Sequence, residues 1–143
     1  MANKFKLRIL TPESTAFEAA VEMVDMPGMM GKIAFLNGHM PYITALKDGW
    51  LKVRTDEGDR FGLVFGGFVR MIKNEMVLTA SGFEWAEGID MKLAAQELAN
   101  AERILEEAED KHKKRLAEIA VRRANVRLEV SSYTIIKGRI NNE

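Results

Sequence analysis

The 143-residue chain balances 21 basic against 21 acidic residues, is 47% hydrophobic, and contains three prolines and no cysteine. That length suits one domain of ordinary size, or a small domain with an appendage, while the missing cysteines exclude a disulfide scaffold, a thiolate metal site and a thiol nucleophile, and fit a reducing compartment. Zero net charge excludes bulk attraction to nucleic acid or to an anionic membrane. No apolar run approaches the ~20 residues that span a bilayer. The opening Met1–Leu7 has neither the apolar stretch of a signal peptide nor the Arg/Ser-rich character of a transit peptide, so a soluble protein is expected.

Up to about Gly88 the chain reads as strands. All seven Phe, both Trp, all three Pro (Pro12, Pro27, Pro41) and every glycine except Gly88 and Gly138 lie there, a concentration of turn-formers and aromatics typical of short strands between tight reversals. Apolar and polar residues alternate at period two in Lys4–Ile9, Trp50–Thr55 and Phe68–Met71, predicting strands with one buried and one wet face. Asn37-Gly38, Asp48-Gly49, Asp56–Asp59 and Lys73–Glu75 are the turns, Asn-Gly and Asp-Gly tolerating positive φ at little cost. Arg60–Phe65, Phe68–Ile72 and Met76–Thr79 read as separate strands. Gly62 and Gly66-Gly67 resemble a phosphate loop only by count, and a bulge or close strand approach is the expected role. With nothing helical interposed, the spacing argues for an antiparallel sandwich or barrel.

After Gly88 the period becomes helical. Asp90 is a candidate N-cap, and Ala94, Leu98, Ala101, Leu105 and Ala108 recur at steps of four and three. A second stripe runs through Leu116, Ile119, Ala120, Arg123, Val126 and Val130, with Asp110–Lys113 as a polar turn. This predicts two helices of about 18–20 residues and then a tail from Ser131, β-like at Tyr133–Ile136 and open to disorder. Charge is segregated: seven acids against two bases over Asp90–Asp110, and seven bases against one acid over Lys111–Leu128. The basic helix, through Arg115, Arg122, Arg123 and Arg127, could be drawn away by an acidic partner.

No catalytic constellation or metal-ligand spacing is present. The two histidines, His39 and His112, stand apart in predicted turns, and neither a GxxxxGK[ST] nor a GxGxxG loop occurs. The acidic run Glu106–Asp110 reads as a solvated face, and the arginines of the second helix lack interleaved aromatics, so nucleic-acid binding is not expected. Met23, Met26, Met29, Met30 and Met40 crowd around Pro27-Gly28, some for the core and some for a pliable contact patch. A catalytic residue, a metal and a cofactor are therefore all unassigned; what the residues suggest is a scaffold that touches partners.

The stretch Met26-Pro27-Gly28-Met29-Met30-Gly31-Lys32-Ile33-Ala34-Phe35-Leu36-Asn37-Gly38-His39-Met40-Pro41-Tyr42-Ile43-Thr44-Ala45-Leu46-Lys47-Asp48-Gly49, with Leu10–Glu13, Gly66–Phe68 and Ile89-Asp90, resembles the epsilon subunits of bacterial F-type ATP synthases. The resemblance covers nearly the whole chain. It implies a sandwich of about ten strands over residues 1–87, a regulatory helical hairpin over 88–130 and a tail over 131–143. It further implies a non-catalytic part of the proton-driven rotor stalk, peripheral on the cytoplasmic side of the bacterial inner membrane. The implied partners are the gamma subunit and the membrane rotor ring, met through Gly28, Gly31, Lys32, Gly38, His39 and Pro41, and transiently the catalytic alpha and beta subunits, met by the basic helix when it restrains hydrolysis. Lys32 stands where the family usually has Glu. A nucleotide motif found in some members reads here as Ile89, Asp90 and Ala94 with Leu93 at its arginine position, which removes the charged fork that would grip phosphate. An ATP-sensing hairpin and a free-standing adaptor are the alternative readings.

Overall fold

A computed structural model describes residues 3–38 and 40–141, with 134–141 described by backbone alone. It divides into two compact units, Met1–Trp85 and Ala86–Glu143.

The first unit holds eight strands among the described residues: β1 (Phe5–Leu10), β2 (Thr15–Val21), β3 (Met23–Gly28), β4 (Gly31–Leu36), β5 (Tyr42–Leu46), β6 (Gly49–Thr55), β7 (Gly58–Ile72) and β8 (Glu75–Trp85). They form one sheet in the order β2-β1-β8-β7-β5-β3-β4, with β6 bridging β3 and β7. The sheet folds into a sandwich because β7 and β8 serve both layers. The first part of β7 pairs with β6 (Val53↔Arg60, Gly49↔Val64), and its last part pairs with β5 (Leu46↔Gly67, Tyr42↔Met71).

The segments Arg60–Phe65 and Phe68–Ile72 are thus one strand, and the count among the described residues is eight, six of them short and β7 and β8 long. The bend falls at Gly66 and Gly67, whose φ values of 47° and 148° lie where side chains are disfavoured. A Cβ on Gly67 would lie 2.0 Å from the Thr79 carbonyl oxygen; the pair is a corner. The sheet is antiparallel except that β1 runs parallel to β8, a pairing of distant strands to which period-two patterning is blind.

Between the layers sit Phe5, Leu7, Ile9, Val21, Val24, Met26, Phe35, Leu51, Val53, Val64, Val69, Met71, Met76 and Leu78, nearly all fully buried. The alternation explains this choice: in β1 Phe5, Leu7 and Ile9 point in, while Lys6 is exposed and Arg8 half-buried. Of the crowded methionines, Met26 is core while Met29, Met30 and Met40 are exposed.

In the second unit a 3-10 turn, Ala86–Gly88, leads to α1 (Met91–Glu107) and α2 (Lys111–Asn141). Asp90 caps α1, its Oδ1 accepting from the amides of Lys92 (3.0 Å) and Leu93 (3.2 Å). Asp110 does the same for α2, accepting from Lys113 N at 2.8 Å. That cap starts α2 at Lys111, so His112 stands on a helix and not in the expected polar turn.

The α2 helix is 31 residues long, against the expected 18–20, and the backbone from Ser131 to Asn141 is helical where a β-like tail was expected. No glycine or proline interrupts the chain before Gly138, and extending an existing helix costs far less than starting one. Asn142 and Glu143 lie outside the described residues. Ser131 and Ser132 donate their hydroxyls to the carbonyls of Leu128 and Glu129 (2.8 and 2.6 Å), and the Tyr133 hydroxyl donates to Glu129 Oε1 at 2.6 Å.

Burial, then the bond to Glu129 and its negative charge, push the Tyr133 phenol up to about 12. The neutral phenol is therefore favoured by the folded state, and its contribution to stability is complete below the unfolded value near 10 and is lost as pH rises through about 12. Ultraviolet titration should show one phenol ionising near 12, and Tyr133→Phe should delete that step.

The helices meet along small residues. Ala94, Ala101, Ala117 and Ala124 are buried, as is Ser131, so α1 and α2 each present a small residue every seventh position. The Arg127–Glu97 pair at 3.1 Å fixes an antiparallel register that sets Ala101 level with Ala124 to within a residue. Leu116, expected on the seam, is 55% exposed: alanines facing alanines bring the axes too close to admit it, and Ala117 takes its place. Each buried alanine methyl is worth only about 0.8 kcal/mol and the exposed ion pair about 0.2–1 kcal/mol, so the small-residue contacts add little each, and the larger apolar burial on α2 is at Val126 and Val130.

Candidate functional site

Residues that the sequence groups into one contact loop occupy opposite ends of β4. At one end the β3–β4 hairpin closes with Gly28 opposite Gly31. A Cβ on Gly28 would meet Gly31 O at 2.8 Å and the Ile33 side chain at 2.5 Å, and Gly31 has φ 129°, so both glycines suit the tight tip. Met29 and Met30 project from it, 56% and 100% exposed. Lys32 does not project with them. Its ammonium lies 3.1 Å from the centroid of the Trp50 ring and donates to the Trp50 carbonyl, so its charge is engaged within the sandwich.

About 17 Å of strand away, at ~3.4 Å per residue, Gly38 (φ 83°) turns the chain out of β4, and its amide donates to Asn74 Oδ1 at 3.1 Å. Pro41 is exposed at the entrance to β5. His39 lies outside the described residues.

Between the two ends runs a face that the sequence reading did not single out. In β7, Val69 and Met71 point inward and are fully buried, so Phe68, Arg70 and Ile72 point outward. Opposite Arg70 stand Ile43 of β5 and Val77 of β8, and opposite Phe68 stand Ala45 and Thr79. Ile43 is 67% and Phe68 64% exposed, and with Arg70, Val77 and Thr79 they line a shallow groove. Next along the sheet come Lys6 and Arg8, which share Glu18 at 3.1 and 3.8 Å. An exposed apolar patch of this kind is a candidate place for a partner, and its margin sets Lys6, Arg8 and Arg70 against Glu18 and Glu75. The signal was present in Phe68-Val69-Arg70-Met71, where period two already puts Phe68 on the side of Arg70.

On the hairpin the four arginines divide. Arg115 and Arg122 are exposed and seven residues apart, hence on one face; Arg123 and Arg127 are half-buried, and Arg127 is tied to Glu97. Of the nucleotide motif, Asp90 spends Oδ1 on capping α1, Ala94 is buried, and Ile89 is half-buried. Among the described residues no cluster of three or more carboxylates or histidines could hold a metal, and no helix is long and apolar enough to cross a membrane.

A β-sandwich with exposed apolar faces, followed by a helical hairpin, is the class of protein that these two units define. Residues 4–86 match the family described as the beta-sandwich domain of the ATP synthase delta/epsilon chain. The chain belongs to that family and is a non-catalytic subunit of ATP synthase. It is 34% identical over 134 residues to the ATP synthase epsilon chain of Syntrophobacter fumaroxidans, covering 94% of this chain and all of that one. Against the epsilon chain of Staphylococcus aureus it is 35% identical over 130 residues, 90% of this chain and 97% of that one. In fold it is similar to a chain of the Euglena gracilis mitochondrial ATP synthase (TM-score 0.77, 20% identity, covering 90% of this chain and 81% of that one). It also resembles one from the central stalk and c-ring of the Tetrahymena thermophila enzyme (TM-score 0.64, 15% identity, covering 91% and 98%).

Proposed function

We propose that the protein is a central-stalk subunit of a proton-driven bacterial ATP synthase. In this reading it turns with the rotor on the cytoplasmic side of the inner membrane and couples that rotation to ATP formation on other subunits. The observation that carries the proposal is the outward face of Ile43, Phe68 and Val77 with Arg70 and Arg8 beside it. The gamma subunit is its partner, and complementarity asks of gamma an apolar surface with an acidic rim. The Met29–Met30 tip, at the other end of β4 from Gly38, contacts the membrane rotor ring. Lys32 is held against Trp50, so the projecting part of that second contact is the methionine pair. Co-purification of the full chain with gamma is the deciding experiment: failure to recover gamma removes the proposal.

The hairpin supplies restraint of hydrolysis. Its seam is built largely of small residues and its basic helix exposes Arg115 and Arg122, so α2 can exchange its acidic neighbour α1 for acidic segments of the catalytic subunits, two docked states separated by a small free energy. Ending the chain at Glu87 should leave the complex assembled and raise its ATPase activity several-fold, and replacing Arg115 and Arg122 with Ala should reproduce much of that rise. Unchanged ATPase activity in the assembled, truncated complex would remove the inhibitory role.

A further inference from the structure

The turn between β7 and β8 is two residues long, Lys73 and Asn74, both at positive φ (51° and 62°), the arrangement that closes a hairpin in step with strand twist. Glycine would satisfy that backbone as well as asparagine. What glycine lacks is the amide oxygen that accepts from Gly38 N at 3.1 Å. The Asn74 main chain also accepts from Lys6 N at 2.9 Å, so the start of β1, the β4–β5 loop and the β7–β8 turn all meet at this one residue. Beyond Gly38 the loop presents Met40, 78% exposed, and Pro41, and then enters β5 at the edge of the Ile43–Phe68 face.

We propose that Asn74 is a positioning residue for partner binding: its side-chain oxygen holds the Gly38–Pro41 loop beside the Ile43–Phe68 face, so that Met40 is offered to the partner that covers that face. This rests on the reading of that face as the gamma-binding surface. Gly38, where the loop turns, has no side chain, and no atom stands within 4 Å of where a Cβ would be. An amide that loses a single hydrogen bond of this kind opens more often by roughly fivefold.

The test uses the full chain with Asn74→Gly, which keeps the turn, and Asn74→Asp, which keeps an acceptor oxygen. Amide exchange measured by NMR should quicken at Gly38 by roughly fivefold in Asn74→Gly, with core amides such as those of Val69 and Leu78 unaltered, and should return to the original rate in Asn74→Asp. Binding to purified gamma should weaken in Asn74→Gly, and Met40→Ala should weaken binding less in the Asn74→Gly background than in the original one. Unchanged exchange at Gly38 in Asn74→Gly, no rescue of that exchange by Asn74→Asp, or full additivity of the binding losses with Met40→Ala would each overturn the proposal. A parent chain that binds no gamma would instead overturn the functional reading, while exchange at Gly38 would still decide whether Asn74 holds the loop.

Discussion

Gly67→Ala should destabilise the sandwich by about 3 kcal/mol or more, combining strain at positive φ with overpacking against a strand. The added Cβ would stand 2.0 Å from Thr79 O and 2.8 Å from Ala80 Cα, both main chain of the hydrogen-bonded neighbour β8, with φ held at 148°. Neither contact can be relieved by rotating a side chain. Relief would require parting β7 from β8 at the point where both change layers. At about 4–8 °C per kcal/mol for a domain of this size, a melting temperature lower by roughly 12–24 °C is expected. Gly58→Ala is the control: its φ of 113° is equally unsuited to a side chain, but no atom lies within 4 Å of the added Cβ. That change should cost only about 1–2 kcal/mol, the strain alone. Equal losses at the two positions would show that close strand approach contributes nothing at the corner.

Phe68→Glu should reduce binding to gamma at least a hundredfold while leaving the fold intact. Phe68 is 64% exposed, so the monomer loses little, but a carboxylate at the centre of an apolar contact must be desolvated without a partner, and the acidic rim expected of gamma adds repulsion. Ile43→Glu, one strand away on the same face, should act in the same direction. Lys52→Glu, on β6 and away from that face, should bind as the parent does. Circular dichroism and melting establish that the variants are folded; gamma recovered equally well by Phe68→Glu would move the interface elsewhere on the sandwich.

Much of this was legible in the residues, for reasons that can be named. The period-two runs in β1 and β6 placed Leu7, Ile9, Leu51 and Val53 in the core, and Asp90 and the alanines of α1 behaved as their spacing implied. The strand break read at Gly66-Gly67 is a bend, because glycine signals an unusual φ without saying whether pairing continues through it. The β-like Tyr133–Ile136 is helical, because propagation from an established helix outweighs the modest β preference of a few residues. The α2 seam shifted from Leu116 to Ala117, since a pattern of hydrophobicity alone does not reveal how closely the partner helix approaches. The contact residues scattered for a different reason: proximity along the chain between Gly28 and Pro41 becomes separation across the fold when a strand lies between them. Phe68 is hard to place from its residue type, because an aromatic residue in a strand is more often core than surface.

The corner at Gly66 and Gly67 has a mechanical consequence. Two sheets joined only by loops can shear past one another, and a load applied to one would reach the other through flexible connections. Here β7 and β8 cross from layer to layer as unbroken backbone, hydrogen-bonded to each other on both sides of the bend. In the proposed reading, a twisting load taken up around Phe68 would pass along covalent chain and paired ladders to β6, β3 and the methionine tip, and the sandwich would act as a stiff washer.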